Sequence, residues 1–200
     1  MNKLIRIKMV FNLLMLPFWE FKYRILRVLR FYVGVKNYSQ FEAYRKYPDY
    51  LKFGGAVNYI INVARPHLSG KGLDIGCSIW PIEGARAVDY TEEEHAAKLL
   101  ENDGSIDYIF ASHLIEHVTD PTLVFNEWNR VLREEGTLFL YVPHPSCEMW
   151  QKANNGFHLW NPDFQELKYH LENHGFKVVS YSETADAYLS FYINAKKIIN

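Results

Sequence analysis

Short apolar runs alternate along the chain with longer segments in which apolar residues recur at helical spacing. The short runs predict strands at residues 73–75, 85–88, 108–111, 137–142, 176–180 and 188–193. The periodic segments predict helices at residues 56–64, 92–100, 120–136 and 161–175. Strands that alternate with helices are typical of an α/β protein with a mostly parallel sheet. The last two strands are joined by a short polar link, residues 182–186, which predicts an antiparallel pair.

Two of these helices have recognisable ends. Asp120-Pro121 and Asn161-Pro162 each combine a capping side chain with a proline, which suits the first turn of a helix. Gly136 and Gly175 follow the apolar stripes and are expected to end the two helices. For the helix at 92–100, three consecutive glutamates are expected to form the first turn.

The first 36 residues differ from the rest of the chain in charge. They carry a net charge of +7, whereas residues 37–200 carry −8. Residues 9–19 form an uncharged run, but eleven residues are too few for a bilayer span, which needs about 20. No small-residue cleavage site follows, so we expect no signal-peptide cleavage. Arginines at helical spacing in 21–33 predict a basic amphipathic helix, which either packs on the protein or lies on an anionic membrane surface.

Composition supports one domain, residues 37–200, with residues 1–36 as a helical extension. Of the 200 residues 48% are hydrophobic, enough for one well-packed core. Cys77 and Cys147 are too few for a disulfide framework, so we expect a reducing, cytoplasmic setting, with peripheral contact to the membrane as an option. We expect no metal, because no His, Cys or Asp cluster has ligand spacing along the sequence, and no nucleic-acid partner.

Two acidic residues mark the candidate site. Asp74 lies inside an apolar run that Gly76 ends, and burial of its carboxylate requires a partner. Asp89 ends the next run, where open α/β sheets place the acid that accepts hydrogen bonds from a ribose. Dinucleotide sites also have a Gly-x-Gly-x-x-Gly loop for the pyrophosphate, which is missing here. The pattern favours a nucleoside ligand without a phosphate and disfavours a nicotinamide oxidoreductase.

These motifs resemble those of the class I S-adenosylmethionine (SAM) dependent methyltransferases, in particular compact, type 11-like members. Asp74-Ile-Gly-Cys77 matches their first motif and Asp89 their second, while Ser78 replaces the usual second glycine. Asp-Gly-Ser-Ile-Asp at 103–107 and the segment at 112–118 match the region around their fourth strand. The resemblance implies a Rossmann-like, doubly wound, three-layer α/β/α fold with an antiparallel last strand.

The resemblance also implies a cofactor and a set of site residues. SAM would bind through Asp74, Gly76, Cys77, Ser78, Asp89 and Ser112. No residue is assigned to the adenine.

The catalytic base is sought among four histidines, His113, His117, His144 and His158, which are expected to meet at the carboxyl edge of the sheet. We expect His113 first and then His158, in a mobile loop at 149–159, to take part in proton transfer. His117 is more simply interpreted as a helix brace.

The acceptor is the least defined part of the hypothesis. A hydroxyl or an amine of a small molecule, a glycan or a lipid-linked acceptor is compatible with the sequence, and the basic extension would suit a lipid-linked one. The alternative is a catalytically inactive SAM-binding or interaction module of the same fold, since the second glycine and an adenine-binding acid are missing.

Overall fold

The computed structural model of the protein describes residues 46, 47, 51 and 55–199. The chain divides into two compact units, Met1–Gly54 and Gly55–Asn200, and nearly all of the first unit lies outside the described residues. The amphipathic helix predicted for residues 1–36 therefore lies outside them as well. Within the described residues, no helix has the length and apolar character needed to cross a bilayer.

Residues 55–199 form one mixed sheet with helices. The strands are β1 (Gly72–Ile75), β2 (Ala85–Val88), β3 (Ile106–Ser112), β4 (Leu132–Pro143), β5 (Phe176–Tyr181) and β6 (Ser190–Lys197). The α-helices of this part of the chain are α1 (Val57–Ala64), α2 (Pro121–Val131) and α3 (Phe164–Asn173). The strand order is β2-β1-β3-β4-β6-β5, with β1 to β4 parallel and β6 antiparallel to both of its neighbours. The predicted mostly parallel sheet with an antiparallel last strand is confirmed.

The sheet is covered on both faces, which gives three layers. Alternate residues of β4, such as Leu138 and Leu140, share one apolar cluster with the buried faces of α2 and α3. Phe139 points to the opposite face, where its ring lies 6.1 Å from that of His67, just after α1. A strand buried on both sides reads as a continuous apolar run, as residues 137–142 do.

Helix α2 begins as predicted and ends earlier. The Asp120 side chain accepts hydrogen bonds from the backbone of Thr122 (2.9 Å) and Leu123 (3.3 Å). The prediction that Gly136 ends this helix is wrong, because Gly136 lies within β4. The Lys197 ammonium donates to the carbonyls of Asn129 and Leu132, so these two carbonyl groups at the helix end are satisfied without a glycine cap.

The predicted helix at 92–100 does not form. Arg86 in β2 pairs with both Glu94 (2.6 Å) and Glu101 (3.2 Å), and the backbone between these two acids is folded into turns. The backbone amide of Leu99 donates to Glu127 of α2 instead of to a helical carbonyl. Side-chain pairs to neighbouring elements therefore override the local helix preference of this segment.

Helix α3 begins two residues later than expected. Asp163 caps it by accepting from the amide of Glu166 (2.8 Å), so the prediction of Asn161 as the cap is wrong. The Asn161 side chain instead donates to the carbonyl of Trp150 (2.8 Å) and accepts from the amide of Lys152. Asn161 thus binds the loop that precedes the helix.

Candidate functional site

The predicted cofactor residues lie at one edge of the sheet. Strand β1 is paired with β2 and β3 in such a register that Ile75 lies opposite both Val88 and Ala111. Gly76, Asp89 and Ser112 each follow one of these residues, so the structure brings them together at the carboxyl edge. Ligands of open α/β sheets bind at this edge.

Asp74 has the partner that its burial requires. Its side chain is 1% exposed, and Oδ2 accepts a hydrogen bond from the backbone amide of Ile82 (2.8 Å). Burial raises the pKa of Asp74 to about 7, and the nearby Asp89 charge acts in the same direction. Asp74 in β1 therefore holds the loop between β1 and β2 in place through its hydrogen bond to Ile82. No helix is present in this loop, as expected from its length.

The backbone turns sharply after β1. Gly76 has φ 77°, its amide donates to the carbonyl of Val88 (2.7 Å), and an added Cβ would lie 2.8 Å from Cδ1 of Leu114. Ser78 stands where the resemblance implies a second glycine, and its φ of 54° lies in the left-handed region that favours glycine. The loop thus keeps a glycine-like conformation at this position although the residue type has changed.

Cys77 faces Asp89 across the loop. Its Sγ lies 3.9 Å from Oδ2 of Asp89. Burial, reinforced by the charges of Asp74 and Asp89, raises the pKa of the Cys77 thiol to about 12. The thiol is therefore protonated near neutral pH and is not a nucleophile, since the thiolate is the reactive form.

Ser112 and His113 follow β3. The Ser112 hydroxyl is buried and has no hydrogen-bond partner within the described residues, which makes it available to a ligand. His113 adopts φ 53°, and its Nε2 lies 2.8 Å from Oγ of Ser190. Its Nδ1 lies 3.5 Å from Oε1 of Glu116, and the rings of Trp150 and Tyr188 pack against it edge-on. Both imidazole nitrogens of His113 thus face protein groups.

Three of the four candidate histidines surround Glu116. His117 Nε2 lies 3.9 Å from Oε1 of Glu116, and the rings of His117 and His158 are 4.7 Å apart and nearly perpendicular. Burial raises the pKa of Glu116 to about 8 and lowers that of His158 to about 3.

The other predictions for this region need correction. His144 lies outside the histidine group, where it contacts Ser146 and the carbonyl of Glu183. The loop around His158, expected to be mobile, is attached to the turn after β3, because the amides of Leu159 (2.7 Å) and Trp160 (3.2 Å) both donate to the carbonyl of Glu116. His158 itself is only 4% exposed.

Sequence reasoning did not identify Glu116 as a candidate site residue. Its carboxylate is fully buried between histidines, and the only sequence signal is an acid inside the run Ser-His-Leu-Ile-Glu-His. The argument against a metal from ligand spacing does not hold in three dimensions. Glu116, His117 and His158, from two distant segments, each place a potential ligand atom within 4.8 Å of the others.

A nucleoside ligand such as SAM fits the residues at this edge. Gly76 turns the chain at this edge with a positive φ and presents only backbone there, and the Ser112 hydroxyl lacks a protein partner within the described part of the chain. Asp89 and Ser112 belong to the strand ends on either side of β1, so they flank Gly76. These features define a Rossmann-like protein with a candidate nucleoside site at the carboxyl edge of its sheet.

The family of the chain follows from comparison with known proteins. The model of the methyltransferase domain family matches residues 23–181, and the chain belongs to this family. Among curated proteins no match was found.

Solved structures share the fold at low sequence identity. A SAM-dependent methyltransferase from Archaeoglobus fulgidus is 19% identical over 70% of this chain and 93% of its own, with a TM-score of 0.56. A similar enzyme from Mesorhizobium loti is 13% identical over 72% and 98%, with a TM-score of 0.53. The [4+2]-cyclase SpnF also matches, at 14% identity over 72% and 82%, with a TM-score of 0.53. The chain therefore has the class I methyltransferase fold.

Proposed function

We propose that this protein is a SAM-dependent methyltransferase that transfers a methyl group to a hydroxyl or amine of a small-molecule, glycan or lipid-linked acceptor. The observation that carries the proposal is the meeting of Gly76, Asp89 and Ser112 at the carboxyl edge of the sheet. Membership of the methyltransferase domain family and the SAM-dependent enzymes among its structural neighbours support the choice of cofactor.

Each residue at this edge has a proposed role in holding the cofactor. Asp89 accepts hydrogen bonds from the ribose hydroxyls, and the segment 74–78 lines the methionine portion. Asp74 acts mainly by holding the loop through Ile82, which keeps Gly76 and Ser78 in place. Ser112 directs its unpaired hydroxyl to the same ligand. When bound, SAM supplies an electrophilic methyl group on a sulfonium, so that positioning the acceptor does most of the catalytic work.

His113 is the proposed base for an acceptor hydroxyl. It lies directly after Ser112, and Glu116 and Ser190 hold its ring in one orientation. To accept the acceptor proton at Nε2, His113 must release Ser190, whose hydroxyl has a second partner in the carbonyl of Tyr188 (3.2 Å). His158 is buried against His117, which favours a structural or ligand-holding role over contact with an acceptor.

Cofactor binding tests the first part of the proposal. We expect the wild-type protein to bind SAM and S-adenosylhomocysteine in a calorimetric titration. Asp89→Ala should weaken binding at least about tenfold, since each hydrogen bond to a charged acceptor contributes about 1.5–3 kcal/mol. The matched control is Glu83→Ala, which removes an exposed acid from the same edge loop. No binding by the wild type, or equal binding of NADH, would contradict the proposal.

Turnover tests the role of His113 once an acceptor is found by screening with labelled SAM. We choose His113→Asn, because asparagine tolerates the positive φ of this position. Turnover should fall at least about tenfold while SAM affinity stays within about twofold, as expected for a group that acts mainly in the transition state. The exposed His67, changed to Gln, is the control. Unchanged turnover in His113→Asn would remove His113 from the mechanism.

Two observations favour the alternative, a SAM-binding or interaction module without methyl transfer. Both imidazole nitrogens of His113 already face protein groups, and the same fold occurs in a [4+2]-cyclase. In that case SAM binds normally, and no methyl group reaches any acceptor in the screen.

A further inference from the structure

A second group of side chains lies beside the proposed cofactor site. The short helical turn Ile115–His117 follows β3 and carries Glu116 and His117, while His158 comes from the loop before α3. Backbone hydrogen bonds from Leu159 and Trp160 to the carbonyl of Glu116 hold the two segments together. The arrangement is therefore part of the fold and not a chance meeting of surface side chains.

The donor atoms of this group converge. One oxygen of Glu116 and one ring nitrogen each of His117 and His158 all lie within 4.8 Å of one another. Ligand atoms that bind one Zn²⁺ at about 2.0–2.2 Å lie roughly 3–3.5 Å apart. Small rotations of these side chains would bring the three atoms to that spacing.

The donor atoms of Glu116 and His158 have no hydrogen-bond partner among the described residues. Both oxygens of Glu116 and Nδ1 of His158 are buried and have no hydrogen bond to any of the described residues. Glu116 is 0% exposed and His158 is 4% exposed. Among the described residues, the nearest charged or titratable groups to the carboxylate are the imidazoles of His113 (3.5 Å) and His117 (3.9 Å). A buried carboxylate without hydrogen bonds is costly, and a bound cation would offset this cost.

In His117 and His158, the ring nitrogen that does not face the group already has a hydrogen-bond partner. His117 Nδ1 lies 2.8 Å from the carbonyl of Phe157, which can only accept, so Nδ1 carries the proton and Nε2 keeps its lone pair toward Glu116. His158 hydrogen-bonds to the backbone of Trp150, and its Nδ1 has no hydrogen-bond partner among residues 55–199. Histidines that bind metals usually donate their other N–H group to a carbonyl or carboxylate in this way.

We propose that Glu116, His117 and His158 bind a divalent transition-metal ion. Two imidazoles and one carboxylate suit Zn²⁺, Mn²⁺ or Fe²⁺, whereas Mg²⁺ and Ca²⁺ prefer oxygen ligands alone. The His117 side chain is 39% exposed, so the site is open to solvent on that side for a water or an acceptor group as a fourth ligand. The ion joins the loop at 150–160 to the turn after β3. Its binding does not depend on methyl transfer.

The test is a metal titration of the full chain after removal of metal with EDTA. We expect about one Zn²⁺ to bind per chain in calorimetry, with a rise in Tm, and no heat with Mg²⁺. Glu116→Gln and His117→Gln should each weaken Zn²⁺ binding at least about tenfold, as expected for changes at or next to a metal ligand. Both replacements preserve size, and circular dichroism checks the fold. The partly exposed position of His117 protects that variant from a loss of folding.

The matched control addresses the other histidines of the chain. His170 and His174 lie four residues apart, on α3 and at its end, and could bind Zn²⁺ by themselves. His170→Gln should leave the affinity unchanged. No binding by the wild type, or binding that His170→Gln removes and His117→Gln leaves intact, would overturn the proposal. SAM titrations in EDTA report on the proposed function separately, so failure of one proposal leaves the other testable.

Discussion

Position 76 shows how much one backbone conformation matters to the site. Gly76 combines a positive φ with a close approach to Leu114, whereas Gly84, at the other end of the loop, has φ 88° with no atom near an added Cβ. Both positions disfavour any other residue on backbone grounds. Only at position 76 would a methyl group also meet a side chain.

This difference gives a prediction about stability. Gly84→Ala should lower the free energy of unfolding by about 1–2 kcal/mol, the cost of a left-handed conformation for alanine. Gly76→Ala should lower it further, because the new Cβ would lie 2.8 Å from Cδ1 of Leu114 and the side chain must move. Urea unfolding of the two variants measures the difference. Equal losses would mean that the contact with Leu114 is unimportant and that backbone strain alone accounts for the cost of replacing either glycine.

At the scale of single residues, the sequence predicted that a buried polar group must have a hydrogen-bond partner, but it did not predict which group that partner is. Asp74 was expected to have a partner, because an apolar run surrounds it, but the partner is a backbone amide, that of Ile82. Every residue except proline carries such an amide, so no residue type could signal it. Likewise, the serine at position 78 gave no sign that it would keep a left-handed conformation.

At the scale of elements, local signals predicted strands better than helix ends. The runs at 73–75 and 85–88 lie within or match β1 and β2. Strand β1 is buried at every position, as its apolar run indicates, whereas the edge strand β2 is buried only at Val88. The helix expected at 92–100 was wrong, since Arg86 in β2 binds Glu94 within that segment and Glu101 directly after it. Such pairs depend on which elements become neighbours, and this information is not local.

The basic extension is the element whose role is open to a direct test. We propose that residues 1–36 bind an anionic membrane surface, on the basis of their net charge of +7 beside an uncharged run. Each cationic residue near such a surface contributes about 1 kcal/mol, so several together suffice for reversible attachment. In liposome flotation the full chain should float with anionic vesicles at low salt and be released by high salt. It should not float with neutral vesicles.

A chain that starts at Asn37 is the control for this experiment. It should stay in solution under all conditions. If the full and shortened chains behave alike, residues 1–36 do not act as a membrane anchor, and packing on the protein becomes the better interpretation.

For the whole molecule, the strand topology could be predicted from the sequence. The neighbours of each site residue could be predicted only in part. Parallel strands place their carboxyl ends at one edge, so the meeting of Gly76, Asp89 and Ser112 follows from strand assignment alone. The proximity of Glu116 and His158 could not be predicted in this way, because the loop at 150–160 is not part of a strand and has no sheet register to fix its position. Their contact arises from hydrogen bonds of Leu159 and Trp160 that only the folded chain reveals.

The position of β6 has a consequence for folding during synthesis. This strand starts at residue 190 but lies between β4, which ends at residue 143, and β5. When β4 leaves the ribosome, its second edge has no partner, and the apolar segment 138–142 would be open to pairing with another chain. Within residues 55–199, β5 also pairs only with β6. We therefore expect β5 and β6 to form a hairpin that adds to the sheet in one late step, and nascent chains stalled before residue 190 to be those that need a chaperone.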